Sequence, residues 1–286
     1  MNSGADGGED TVTEHAALKH ALSELDAQLA TSAERGLGAR RRLEPLVEAL
    51  RTPAAAFLRP ELEQRLARHV TADDSFARDR IAHVLAGACG AAALPALLSA
   101  RASDRNDDGD TLELDVLELF VAWPETALKL SLDYAASNDP GMRRVGLWGL
   151  CVIDSVGTNH FGRVADAAFD PDPGVRADAM SSLGTLFGTG DPSRAQEILI
   201  TGTSDTAPEV RRAAVTALWG APEGTVDVLV ARTCDDDRGV RYWAAWALSR
   251  STVPQARAAL ERLTADEDPD VRDAARRALA PPTGWP

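Results

Sequence analysis

Lysine is nearly missing from this chain. Only Lys19 and Lys129 occur, and arginine supplies the rest of the 30 basic residues. With its abundance of Ala and Gly, this composition is expected of a GC-rich bacterial genome. Basic charge as a whole is also in deficit: 44 acids against 30 bases leave a net charge of −14. That balance disfavours attraction to DNA, RNA or an anionic membrane and favours encounter with a basic protein surface. The expected partner is therefore a protein, with no nucleic acid and no membrane. Cysteine is scarce as well. Cys89, Cys151 and Cys234 are odd in number, far apart and outside any C-x-x-C, which signals neither a disulfide framework nor a zinc site. They are expected to be small buried hydrophobes in a reducing compartment. No apolar run is read as reaching transmembrane length. The start, "MNSGADGGEDTVTE", has neither the basic nor the apolar region of a signal peptide, so a cytoplasmic protein is expected.

Catalytic signatures are missing too. His15, His20, His69, His83 and His160 show no metal-ligand spacing, and there is no phosphate-binding loop and no nucleophile elbow. "GTLFGTGDPS" (184–193) has glycines but no Lys-Ser/Thr, and "ASDRNDDGD" (102–110) lacks the full acidic spacing of a calcium loop. Both read as loops. No catalytic residue, metal ligand or cofactor is expected.

What the chain does have is repetition. The pattern V-R-x-x-A-x-x-A-L recurs as "DPGMRRVGLWGL" (139–150), "DPGVRADAMSSL" (172–183), "APEVRRAAVTAL" (207–218), "DRGVRYWAAWAL" (237–248) and "DPDVRDAARRAL" (268–279). Its arginines are Arg143, Arg176, Arg211, Arg241 and Arg272, at steps of 33, 35, 30 and 31 residues. A weaker copy, "DSFARDRIAHVL" (74–85), puts Arg78 in the same slot, and "TLELDVLELF" (111–120) keeps the apolar spacing without the Arg. A near-constant period of this length marks a stacked array of supersecondary units.

Each copy reads as a helix with its start signals. Asp139, Asp172, Asp237 and Asp268 stand at the N-cap, where a carboxylate accepts from unpaired backbone N–H groups. Pro140, Pro173 and Pro269 follow at the first helical position, where a missing N–H costs nothing. Ala207-Pro208 keeps the Pro and loses the cap. Counted from the Val, positions 0, 4, 7 and 8 are small or apolar and form one stripe. A second amphipathic segment precedes each copy, at 124–135, 159–169, 194–202, 225–234 and 254–263. Each unit is thus a helical hairpin that cannot bury its stripe alone but can when stacked.

These residues resemble HEAT-like repeats, in particular the short variety of the phycobilisome lyases, over roughly 71–280. The tetratricopeptide and ankyrin signatures are absent. The resemblance implies an all-α, right-handed α-solenoid (alpha-alpha superhelix) of about seven HEAT-like helical hairpins, forming an elongated, curved rod. It also implies an Asp–Arg ladder between units, with Asp170, Asp205, Asp235 and Asp266 matching the acid and Arg176, Arg211, Arg241 and Arg272 the base. Related deoxyhypusine hydroxylases bind iron through His-Glu pairs, and this chain has no His-Glu dipeptide. HEAT-like DNA glycosylases work over a basic groove, which the net charge argues against.

Around the array, residues 1–13 read as a disordered tail. Residues 14–70 read as an N-terminal helical cap, with helices at 14–35, 39–51 and 60–70. Residues 71–280 form the solenoid, and 281–286 a C-terminal tail.

Aromatics make up only 5% of the chain, yet it has six Trp. Trp148, Trp219, Trp243 and Trp246, with Tyr242, fall in the second helices, and Arg144 and Arg212 share the face of Tyr242. Most of these positions point away from the core stripe. Two readings stand: rings wedged between units as packing, or a recognition strip along the concave groove, since Trp, Tyr and Arg are the usual interface anchors. The acidic turns at Asp170/Asp172, Asp205, 235–237 and 266–270 form a separate candidate edge for a basic partner. The expected function is a non-enzymatic protein-binding scaffold or adaptor that uses the concave groove. An immunity protein neutralising a toxin, and a lyase-type or accessory enzyme acting on a small molecule, stand as alternatives.

Overall fold

In the computed structural model the repeat signals do the local work that the spacing assigns them. The structure describes residues 6–31, 37–103, 111–153, 160–185, 191–219 and 224–280. The tail 281–286, residues 104–110 and residues 186–190 lie outside these. Among the described residues every regular element is helical: α1 Asp6–Thr31, α2 Leu37–Leu50, α3 Arg59–Thr71, α4 Ser75–Cys89, α5 Leu94–Ser103, α6 Thr111–Ala122, α7 Pro124–Ala135, α8 Pro140–Ile153, α9 Phe161–Ala167, α10 Pro173–Thr185, α11 Pro192–Gly202, α12 Pro208–Ala217, α13 Val226–Arg232, α14 Arg238–Leu248, α15 Pro254–Leu263 and α16 Pro269–Leu279. Short 3-10 turns at Pro53–Leu58 and Gly90–Ala93 link neighbours. The chain forms two compact units, residues 1–133 and 134–286.

In the first unit, Leu18, Leu22, Leu25 and Leu29 are buried on α1, as their spacing predicts, together with Leu43, Val47 and Leu50 of α2. The helix starts at Asp6, inside the stretch expected to be a disordered tail; residues 1–5 lie outside the description. Once the leucine face nucleates the helix, each added N-terminal residue costs little. Arg65 of α3 donates to Asp26 of α1 at 2.7 Å.

The expectation that no apolar run reaches transmembrane length needs correcting. The helical run Ser75–Ser103 contains an 18-residue window with a mean hydropathy of 1.9, long and apolar enough to cross a bilayer. Its apolar residues are spent inside the unit, where Ile81, Leu85, Leu94, Leu97 and Leu98 are buried. Gly90, at φ +55°, breaks the stretch into α4 and α5. The same stretch buries charge: Arg78 pairs with Asp79 at 2.9 Å, and His83 Nδ1 lies 2.6 Å from Asp115 Oδ1. Arg80 is also buried; desolvation, then the nearby charge of Arg40, holds its pKa below the ordinary arginine value.

The second unit is the regular one. Helices α8, α10, α12, α14 and α16 pack in series, and α9, α11, α13 and α15 each pair with the helix that follows. Asp139, Asp172, Asp237 and Asp268 accept from the backbone N–H groups of Met142, Val175, Val240 and Val271 at 2.8–3.2 Å. Ala207 makes no side-chain cap. The repeat valines Val175, Val210, Val240 and Val271 are fully buried, as are Ala179, Ala214, Ala244 and Ala275 four residues on.

Small residues here permit close approach. A Cβ on Gly146 of α8 would overlap the backbone N of Ala135 and lie 2.7 Å from the carbonyl carbon of Tyr134. Backbone cannot move aside as a flexible side chain can. Gly146→Ala is therefore expected to destabilise the protein by about 2 kcal/mol, the range of overpacked cores, read as a lower urea midpoint. A midpoint equal to wild type would show that α8 has room to shift.

Candidate partner-binding groove

The stacked hairpins of the second unit are joined by a ladder of guanidinium–carboxylate pairs. Arg143, Arg176, Arg211 and Arg241 each donate through Nε and Nη2 to both oxygens of Asp170, Asp205, Asp235 and Asp266, at 2.7–3.0 Å. The remaining Nη1 donates to two backbone carbonyls of the arginine's own turn, for example Asp235 O and Asp236 O for Arg241. Each carboxylate also accepts the backbone N–H two residues on. Every rung thus fixes one hairpin turn to the next with bidentate, charge-assisted bonds. Arg176–Asp205, Arg211–Asp235 and Arg241–Asp266 join adjacent hairpins as the resemblance implies; Arg143 adds a rung to Asp170, and Arg272 has no aspartate opposite it among the described residues.

The titration shifts follow. Burial alone would raise the pKa of Asp170, Asp235 and Asp266, but the arginine hydrogen bond, the backbone N–H and the arginine charge together outweigh it and hold each below the ordinary carboxylate value. For Asp205 the hydrogen bond from Arg176 is the largest influence, and the direction is the same. The paired arginines are pushed up, first of all by those hydrogen bonds.

The ladder holds α12, α14 and α16 side by side, and a groove of about 390 Å³ opens across their exposed faces. Its walls include Arg212, Tyr242, Trp246, Asp270, Asp273 and Arg277. Trp243, 40% exposed, stands edge-on to Tyr242 at 5.2 Å, and Tyr242 lies 6.4 Å from Trp246. Arg212 reaches towards Asp237 at 3.6 Å, its stem lying against Gly239, where a Cβ would come within 2.6 Å of it. Arg238 spans Asp268 at 3.1 Å and Asp270 at 3.8 Å.

Of the seven residues expected to bind a partner, the groove gathers Arg212, Tyr242 and Trp246, with Trp243 beside them. Trp219 does not line it; this residue is 55% exposed and its ring faces the Arg250 guanidinium at 5.3 Å. Trp148, half-buried on α8, and Arg144, bonded to Asp178 at 2.7 Å, do not line it either. Tyr242 and Trp246 pack against the core and also line the groove. Of the acids expected on a separate edge, which run from Asp170 to Asp270, Asp237, Asp268 and Asp270 line the groove. Asp273 and Arg277 were not singled out, although they occupy the repeat slots of Tyr242 and Trp246. Among the described residues, no group of three or more His, Cys, Asp or Glu could hold a metal ion.

Residues 197–280 match the family model of HEAT repeats. The fold is similar to that of YibA from E. coli, which is 21% identical, with 64% of this chain and 68% of that one covered at a TM-score of 0.53. A designed armadillo repeat protein in complex with the peptide (KR)4 is 18% identical, with 65% and 98% covered at 0.42. Human deoxyhypusine hydroxylase in complex with glycerol is 20% identical, with 91% and 96% covered at 0.36. No curated protein matches the sequence. In fold the chain is a HEAT-like repeat protein, an all-α solenoid of stacked helical hairpins.

Proposed function

We propose that the protein is a non-enzymatic binding scaffold, and that the groove across α12, α14 and α16 holds a segment of a basic protein partner. The observation that carries this is the pair Tyr242 and Trp246 lining one groove with Asp237, Asp268, Asp270 and Asp273. Aromatic faces attract a cationic side chain, and the neighbouring carboxylates complement its charge. Arg212, Arg238 and Arg277 line the same groove, so its acids exceed its bases by one, in a chain of net charge −14.

The test is affinity capture from native lysate, quantified by mass spectrometry, with folding checked by circular dichroism. Tyr242→Ala is expected to retain a partner about ten-fold less well, the loss of one interface anchor. Asp270→Lys, on a side chain 75% exposed, is expected to weaken retention in the same direction without touching the core. Arg257→Glu, on the exposed face of α15, should retain the partner as wild type does. Equal retention by all four proteins would refute the groove reading.

A further inference from the structure

The ladder leaves one arginine with half its bonds made. Arg272 Nη1 donates to Asp266 O at 2.6 Å and Glu267 O at 2.9 Å, as the other four rung arginines do to their own turns. Its Nε–Nη2 edge faces no carboxylate among the described residues. The chain itself shows what that edge binds. Its four counterparts each grip an aspartate whose carboxylate also takes the backbone N–H two residues on. Arg272 is therefore a guanidinium already oriented by its backbone anchors, with little left to order on binding.

The surface around it says what kind of partner fits. Five residues after the repeat Val, the inner helices carry Leu147, Met180, Val215 and Ala245, all buried. The same slot in α16 is Arg276, whose side chain is 58% exposed. It stands one helical turn from Arg272, on the same face. A further packed hairpin would have to bury that charge, whereas an acidic loop would not.

We infer that the outer face of α16 is a docking site for an aspartate-bearing acidic turn of another protein, with Arg272 as the bidentate clamp and Arg276 beside it. Neither arginine lines the groove, although Arg276 donates to the groove acid Asp273 at 2.9 Å. Because the net charge of the chain opposes an acidic partner at long range, recognition rests on short-range bonds and survives moderate salt.

The test follows the arginine Nε–H signals of the full protein by proton–nitrogen NMR. The Arg272 signal is assigned by its loss in Arg272→Lys. The probe is the acetylated, amidated peptide Asp-Glu-Asp-Pro-Asp-Val, which copies the turn at 266–271. The expected result is a saturable shift of Arg272 alone among the ladder arginines, and binding about ten-fold weaker when the first Asp is Asn, the loss of a charge-assisted bidentate contact. No shift, or the same shift with the Asn peptide, overturns the proposal. So does an Arg272 signal already protected in dilute free protein, which means that the clamp is filled from within. Protection that appears only as the protein is concentrated means that a second copy fills it, and this also overturns an acidic turn from another protein.

Discussion

Arg241→Ala is expected to lower the unfolding free energy by about 3 kcal/mol, while Arg272→Ala costs about 1 kcal/mol. The two arginines hold the same repeat slot and anchor to backbone in the same way. They differ at the Nε–Nη2 edge, which in Arg241 meets Asp266 and, at 3.3 Å, Glu267, and in burial, Arg241 being buried and Arg272 half-buried. Removing Arg241 strands the Asp266 carboxylate, whose side chain is 8% exposed; removing Arg272 strands no carboxylate among the described residues. A buried charge without its partner is the costly outcome, more so than loss of the pair as such. The double variant Arg241→Ala/Asp266→Asn should therefore recover part of the loss, about 1 kcal/mol, because the neutral amide is cheaper to bury. Urea unfolding followed by tryptophan fluorescence reads all three. Equal costs for Arg241→Ala and Arg272→Ala would mean that the carboxylate rung contributes nothing to stability.

The second large effect is on acid stability. Asp170, Asp205, Asp235 and Asp266 are held below their ordinary pKa in the folded chain. In the unfolded chain they titrate near about 3.9. Between these values the unfolded state binds more protons, so stability rises with pH across that window and is lost as pH falls through the folded values. Each aspartate contributes a slope of up to about 1.4 kcal/mol per pH unit. The four together make the ladder fail within a narrow range. The melting temperature is expected to respond little to these groups from about pH 7 to 5 and to drop steeply below about pH 4. Asp235→Asn should be less stable at neutral pH and show a shallower acid slope. A wild-type melting temperature that stays flat down to pH 3, or an unchanged slope in Asp235→Asn, would contradict the ladder as the acid-labile element.

Much of this molecule is local and so could be read from its residues in order. Each N-cap aspartate, each proline after it and each stripe of Val, Ala and Leu acts within one or two helical turns, which is why 124–135 and 254–263 coincide with α7 and α15. Where cooperativity outruns local composition, the reading fell short: the leucine face of α1 carries the helix back to Asp6 through acidic, Gly-rich sequence. The apolar run of α4 and α5 was missed for a related reason, because Arg78, Asp79 and Arg80 mask its start and only burial against neighbouring helices shows how its apolar side chains are used.

The groove belongs to the other category. Helical phase puts Trp148, Trp246, Arg144, Arg212 and Tyr242 on related faces, but phase alone does not say which helices lie close enough to share a wall. Three-dimensional packing gathers Arg212, Tyr242 and Trp246 and adds Asp273 and Arg277 from the next hairpin. It sends Arg144 to Asp178 and leaves Trp219 against Arg250. The sequence by itself determined the repeat, its capping, its buried stripe and the pairing chemistry of its Asp and Arg, because those depend on residue type at a fixed spacing. Only the tertiary structure decided which aromatics face a common space and which ladder arginine meets no carboxylate among the described residues, because both depend on contacts between helices some thirty residues apart in the chain.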